Sequence, residues 1–389
     1  MPTRTFCILL ITAFSAMLGL GVISPFLPVF AEQHGANGFW LGMIFAGFGI
    51  SRGVIMPLVG MVSDKTGRKI FVTLGLLIYT IISLFYPKAH NVFDLTVIRL
   101  IHGLSAGMII PIVMAYVGDL TEEGKEGRTT GALNTMFFLG VAAGPLMGGI
   151  LDRYYGFNAV FHMMAVLGAV TLVLVLAFLP EEKAHTIKKE DGSIEIKSLL
   201  KYDFIKAILI IVVLCTLMTT VFISFVPSLA MVRHLDTAHI GLIIFVGIVL
   251  AGLLQVPFGK VADSLDHTGQ LIQIGAGASV SMLALLAMPL CPDFTALLIS
   301  GAIVGVGAAI TTPSLTAIAV QIGHKVGMGS WMGIFMAVRS IGFILTPLIF
   351  GIVLDHMGVD SVFYLLALLV VFLGLGAFYF IHRRLKTRQ

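Results

Sequence analysis

A chain of 389 residues that is 58% apolar and only 11% charged, with a mean hydropathy of +1.03, has too few ionisable groups to cover a water-soluble surface of its size. The composition excludes a soluble enzyme or soluble binding module and points to an all-α protein embedded in a membrane. The formal net charge of +4 does not imply a nucleic-acid partner, because the basic residues are spread along the chain and not gathered in one patch.

In chain order, Arg4 followed by an apolar run has the outline of a secretory signal. The run continues through Pro25 and Pro28 and has a counterpart later in the chain, so it reads as a first membrane span. Windows of about 20 apolar residues cross a hydrocarbon core of roughly 30 Å. Twelve such windows follow one another, at about 6–30, 39–62, 70–87, 92–118, 129–151, 158–179, 205–231, 240–262, 270–290, 294–320, 328–354 and 360–381. An even number puts both ends on one side. Of the 24 Lys and Arg, only Lys88, Arg153 and Arg233 fall in loops on the other side, and Arg52, Arg99 and Arg339 fall inside spans. That asymmetry places both termini in the cytoplasm and the chain in the inner membrane of a cell. Cys7, Cys215 and Cys291 lie in apolar runs and offer neither a disulfide framework nor a metal-ligand spacing. No metal and no cofactor is expected.

Residues 181–204 form the one long charged stretch, containing E-E-K-A-H-T-I-K-K-E-D-G, and read as a solvated cytoplasmic linker. It separates an N-terminal six-helix bundle (1–180) from a C-terminal one (205–389). The two halves repeat. Pro28, Gly42, Gly60 and Asp64 recur 199 residues later as Pro227, Gly241, Gly259 and Asp263. Gly127, Gly131, Gly140, Pro145 and Gly149 recur 202 residues later as Gly329, Gly333, Gly342, Pro347 and Gly351. Two similar bundles facing each other create a central cavity that rocking exposes to alternate sides.

Three stretches carry further pattern. Gly127 to Gly149 is apolar enough to span, yet Gly131, Gly140, Gly144, Gly148 and Gly149 strip it of side chains and Pro145 interrupts its ladder. In lipid such small residues let a neighbouring helix approach closely. Between spans two and three lies G-M-V-S-D-K-T-G-R-K, Gly60 to Lys69. There Gly60 admits a close helix, Gly67 turns the chain, Asp64 can face a helix N-terminus, and Arg68, followed by Lys69, can pair with a carboxylate from another loop, with Asp119 as the candidate. Its second copy keeps Gly259 and Asp263 but continues S-L-D-H-T-G and loses the basic residues. In span four, Arg99, Gly103 and Gly107 form R-x-x-x-G-x-x-x-G.

These stretches resemble the major facilitator superfamily over essentially the whole chain, and the Gly-Pro pattern resembles the fifth helix of its twelve-helix drug:proton antiporter-like group. The resemblance implies twelve helices in two pseudo-symmetric bundles around a cavity. It also implies that the Gly60–Lys69 cluster with Asp119 acts as a conformational latch, that Arg99 takes part in proton coupling, and that the chain exchanges an organic solute for protons. A plain packing seam and an ordinary positive-inside loop are the competing readings of the fifth helix and the loop.

Arg52 and Arg339 fall near mid-membrane, roughly 18 Å from Asp64 and roughly 15 Å into the eleventh span at 1.5 Å per residue. A charge at that depth costs at least about 3 kcal/mol, so it faces a wet cavity or a partner. No carboxylate lies mid-span; Glu32, Asp94 and Asp119 lie near the boundaries. The relatives that export cationic drugs carry an acid in the first helix, and this chain does not. Arg52 and Arg339 are therefore expected to favour an anionic or carboxylate-bearing solute, the alternative being that neighbouring carbonyls satisfy them. His102 or Glu32 can carry the proton, though a structural histidine and a solvated loop residue compete. Asn134, Phe138, Phe222 and Gln255 are further mid-span candidates for the cavity, as are Thr219 and Thr312.

The expected function is secondary active transport of a small organic solute, with lipids, solute and protons as partners and a monomer as the working unit. An organic-anion uniporter or symporter for uptake and a lipid flippase are the alternatives. A membrane enzyme or a sensor is the reading from a different class; an enzyme would need a catalytic set, and neither an H-E-x-x-H zinc motif nor a Walker loop occurs.

Overall fold

The computed structural model describes residues 3–33, 35, 38–181 and 202–386, so most of the charged linker lies outside the described residues. The first half runs α1 (Thr3–Gln33), α2 (Gly38–Thr66), α3 (Lys69–Ser83), α4 (Val92–Asp119), α5 (Glu126–Tyr155) and α6 (Phe157–Phe178). The second runs α7 (Asp203–Val232), α8 (Thr237–Leu253), α9 (Gln255–Ser264), α10 (His267–Ala287), α11 (Phe294–Val326), α12 (Met328–Met357) and α13 (Val359–Lys386). Among the described residues 11 candidate spans are long and apolar enough to cross a bilayer, and the apolar part of α13 described is Val359–Gly374.

One span departs from the sequence reading. The eighth, expected as a single helix over 240–262, is α8 and α9 joined at Leu254. Pro257 has no N–H to give the Leu253 carbonyl, which frees the ladder one turn earlier.

Helix pairing repeats between halves. In the first, α1 packs on α4, α5 and α6, α2 on α4, and α3 on α4 and α6; in the second, α7 packs on α11, α12 and α13, α8 and α9 on α11, and α10 on α11 and α13. The seams are set by small residues. A Cβ on Gly140 would strike the Phe14 carbonyl, and one on Gly144 would strike the backbone of Gly21 and Val22, so α1 and α5 touch backbone to backbone. Gly148 is buried in the same helix, whereas Gly149 faces open space. Replacing Gly144 with Val is expected to lower the unfolding midpoint of purified protein, overpacking costing about 3 kcal/mol. Gly149→Val should leave the midpoint where it was.

Apolar side chains cover the outside as well. Val54, Val170, Leu368 and Phe372 are exposed, as a lipid-facing surface requires.

Candidate functional site

Between the halves, α2 lies against α12, and α5 against α8, α9 and α11. Gly53 on α2 faces Ser340 on α12, whose Cβ is 3.6 Å from where a Cβ on Gly53 would sit. The residues that precede this contact on the two helices, Arg52 and Arg339, each carry a guanidinium next to it in sequence, and Arg52 feels the charge of Arg339. Arg52 is 8% exposed, its guanidinium 6.0 Å from the centre of the Phe48 ring, and its Nε has no hydrogen-bond partner. Arg339 is half-buried and near Cys215 of α7. No ion pair reaches either of them among the described residues.

The other mid-span candidates divide. Asn134 on α5 donates to the Thr316 hydroxyl of α11 at 3.3 Å, and Thr316 donates to Thr130 at 3.1 Å, a polar chain that crosses the seam. Gln255 is buried at the α8–α9 break; its Nε2 donates to the Ala251 carbonyl, its Oε1 has no partner, and its backbone carbonyl lies against Gly131. Phe138 lies over Gly252 of α8. Phe222 instead packs inside the second half, against Gly247 and Gly301.

His102 and Arg99 are set within the first half. His102 is 3% exposed, its Nδ1 3.0 Å from the Tyr86 hydroxyl, with Tyr79 and Phe48 edge-on to its ring. Arg99, 2% exposed, lies 4.2 Å from the centre of the Phe48 ring and 5.7 Å from that of Phe45. These distances suit cation–π attraction in a desolvated setting. Thus the described neighbours of His102 and Arg99 are aromatic, not acidic. Glu32 is in the last turn of α1, and its side chain lies outside the described residues.

The end of the bundle that carries Arg68, Lys125 and Lys325 (the basic end) is built around two orphan helix starts. Most helices with polar N-caps cap themselves: Asn91, Asp236, Asp266 and Asp293 each accept from a backbone N–H three residues on. The starts of α5 and α12 have no such side chain. Each receives an aspartate from the opposite half. Asp64, at the end of α2, accepts from Gly329 N at 2.8 Å, Ser330 N at 2.7 Å and the Ser330 hydroxyl at 2.6 Å. Asp263, at the end of α9, accepts from Gly127 N at 2.6 Å and Arg128 N at 2.9 Å. Free N–H groups and the helix dipole both favour a carboxylate at these places.

Glycines make the approach possible: a Cβ on Gly60 would strike the Gly329 carbonyl, and one on Gly259 would strike that of Gly127. Gly67 turns the chain with a φ of 96° that a side chain would resist. The copies differ beyond the aspartate. Arg68 donates to Asp64 at 3.2 Å and pairs with Asp119 at 2.5 Å, while Lys69 donates to the Leu176 carbonyl at 3.1 Å. Ser330, Thr316 and His324, whose Nε2 lies 3.0 Å from the Gly118 carbonyl, complete the seam. Sequence reasoning missed these three. The uncapped start of α12 was the one signal that could have pointed to Ser330.

Gly103, Ser105 and Gly107 have the spacing of a hydrolase nucleophile elbow, G-x-S-x-G. Ser105 lies in mid-helix α4 and donates to the Gly75 carbonyl at 2.9 Å, whereas an elbow needs a strand-to-helix turn with its hydroxyl presented.

The family model for the Major Facilitator Superfamily matches residues 9–328 and 208–389. An uncharacterised MFS-type transporter of Methanocaldococcus jannaschii is 26% identical over 378 residues, covering 96% of this chain and 97% of its own. The quinolone resistance protein NorA of Staphylococcus aureus is 24% identical over 354 residues, covering 90% of this chain and 89% of its own. The crystal structure of the human organic anion transporter MFSD10 superposes with a TM-score of 0.84 at 18% identity, over 97% of this chain and 100% of that one. With the two-half helical architecture and its repeated pairing, these matches establish that the chain belongs to the Major Facilitator Superfamily, as a multi-pass membrane transporter and not an enzyme.

Proposed function

We propose that the chain exports a small organic anion in exchange for protons, its two six-helix halves rocking about the seam as a monomer in the inner membrane, with the basic end and both termini in the cytoplasm. The observation that carries the substrate class is the pair Arg52 and Arg339: two arginines that adjoin the Gly53–Ser340 contact, one on α2 and one on α12, with no carboxylate paired to either among the described residues. Buried charge without a partner is costly, and a carboxylate-bearing solute supplies what is missing. Asn134, Phe138 and Gln255 add polar and aromatic contacts along the same seam. The Gly-Pro helix α5 and the quinolone resistance relative support efflux, and the likeness to a human organic anion transporter agrees with the charge. Asp64, Arg68 and Asp119 act in this reading as the latch that holds the cytoplasmic end shut.

The test is purified protein in liposomes with labelled anionic and cationic compounds and an imposed pH step. Anion movement against its gradient, driven by an opposed proton gradient and abolished when that gradient is collapsed, is expected. Movement that ignores the pH step overturns exchange in favour of an anion uniporter, and preference for cations overturns the role of Arg52 and Arg339.

A further inference from the structure

The helices hold positive charge that no side chain of theirs balances. Every Asp and Glu outside residues 181–204 lies in a connection or within four residues of a helix end. Of the lysines and arginines, only Arg52 in α2, Arg99 in α4 and Arg339 in α12 lie deeper. Among the described residues no ion pair reaches any of them.

The three are placed differently with respect to the moving parts. Arg99 is 2% exposed, and the rings beside it, Phe45 and Phe48, belong to its own half, so it travels with that half. Arg52 and Arg339 instead adjoin the Gly53–Ser340 contact, one on each side of the seam, and Arg52 feels the charge of Arg339. When two halves rock, the side from which water enters the seam changes, and the membrane potential then falls mainly across the end that is closed. A charge in the seam is thereby brought to the potential of whichever side is open, without itself travelling far.

We propose that Arg52 and Arg339 are the voltage sensor of the empty carrier: a potential negative on the cytoplasmic side favours the arrangement with the basic end open, which puts both guanidiniums at the cytoplasmic potential. This rests on the rocking and the orientation proposed above. A bound anion cancels part of the charge and with it part of the bias, so the potential returns the unloaded protein to the cytoplasm while the loaded one turns outward. One elementary charge carried through the whole field shifts the equilibrium about tenfold per 60 mV.

The test uses no solute. Donor and acceptor dyes that cannot cross the membrane are attached from outside to Lys65→Cys and Ser264→Cys in liposomes, in a Cys7→Ser background, so that only molecules with the basic end outward report. Potassium gradients with valinomycin set the potential. Making the basic-end side negative is expected to lengthen the dye distance, the open-to-closed ratio rising about tenfold per 60 mV for one effective charge. Arg52→Gln and Arg339→Gln should each cut that slope to about half, one of two charges being lost. Arg52→Lys, which keeps the charge but not the planar fork, should keep the slope. The same readings in Asp64→Asn separate this proposal from the rocking beneath it. A distance that answers Asp64→Asn but not the potential, in either protein, overturns the voltage sensor and leaves rocking intact, and one that answers neither overturns both. A slope unchanged in both Arg52→Gln and Arg339→Gln places the sensing charge elsewhere and also overturns the proposal.

Discussion

Replacing Arg52 with Ala should lower the affinity for a transported anion about 100-fold and, at the same time, raise the unfolding midpoint of the empty protein. The two effects have one cause. Arg52 is buried with an unpartnered Nε and a second guanidinium, Arg339, near enough to repel it. The empty protein therefore carries strain that the substitution removes, whereas the loaded protein loses charge-assisted hydrogen bonds that together contribute roughly 3 kcal/mol. Arg339→Ala should act in the same direction with a smaller gain in stability, since Arg339 is less buried. Lys at position 52 retains the charge but not the planar fork and should fall between, about tenfold down. Anion binding by a filter or calorimetric assay, paired with thermal unfolding, reads both quantities. If Arg52→Ala lowers stability and leaves anion affinity intact, Arg52 is a packing residue.

Asp64→Asn should release the basic end, and Asp263→Asn should do so more weakly. Asp64 accepts three hydrogen bonds from Gly329 and Ser330 and lies 3.2 Å from Arg68, which in turn holds Asp119. An amide presents its NH₂ to N–H groups on one side and loses the charge that Arg68 and the helix start both favour. A loss of about 2 kcal/mol shifts the closed population roughly 30-fold. Asp263 has two backbone partners and, among the described residues, no ion pair, so its removal costs less. Transport turnover should fall in Asp64→Asn while anion affinity is retained. An Asp263→Asn defect as large as that of Asp64→Asn would contradict the unequal latch.

How much of this was legible follows from where each residue sits. The spans could be read because lipid demands long apolar runs whatever packs inside them, and the repeat because Gly60, Gly127 and Gly131 mark backbone approaches where no larger residue fits. Asp119 was readable as a partner for Arg68 because both lie at helix ends on one side. Rotation about the helix axis was not readable. A helix apolar on every side gives no sign of which face turns inward, so Phe222, a cavity candidate by its mid-span position, packs instead on Gly247 and Gly301. The setting of His102 was equally hidden: it depends on Tyr79 from α3, Tyr86 from the short turn Tyr86–Lys88 and Phe48 from α2 meeting one ring. No local spacing encodes a cage drawn from three separate segments.

Rocking of the halves is tested most directly by paired distances at symmetry-related positions. Spin labels at Lys65→Cys and Ser264→Cys report the basic end, and labels at Tyr154→Cys and His356→Cys report the opposite end, in a background where the exposed Cys7 is replaced by Ser. Comparing each pair with and without Asp64→Asn, the basic-end distance should lengthen as the opposite-end distance shortens. Distances that lengthen together at both ends, or that do not respond, would contradict a pivot between two rigid halves.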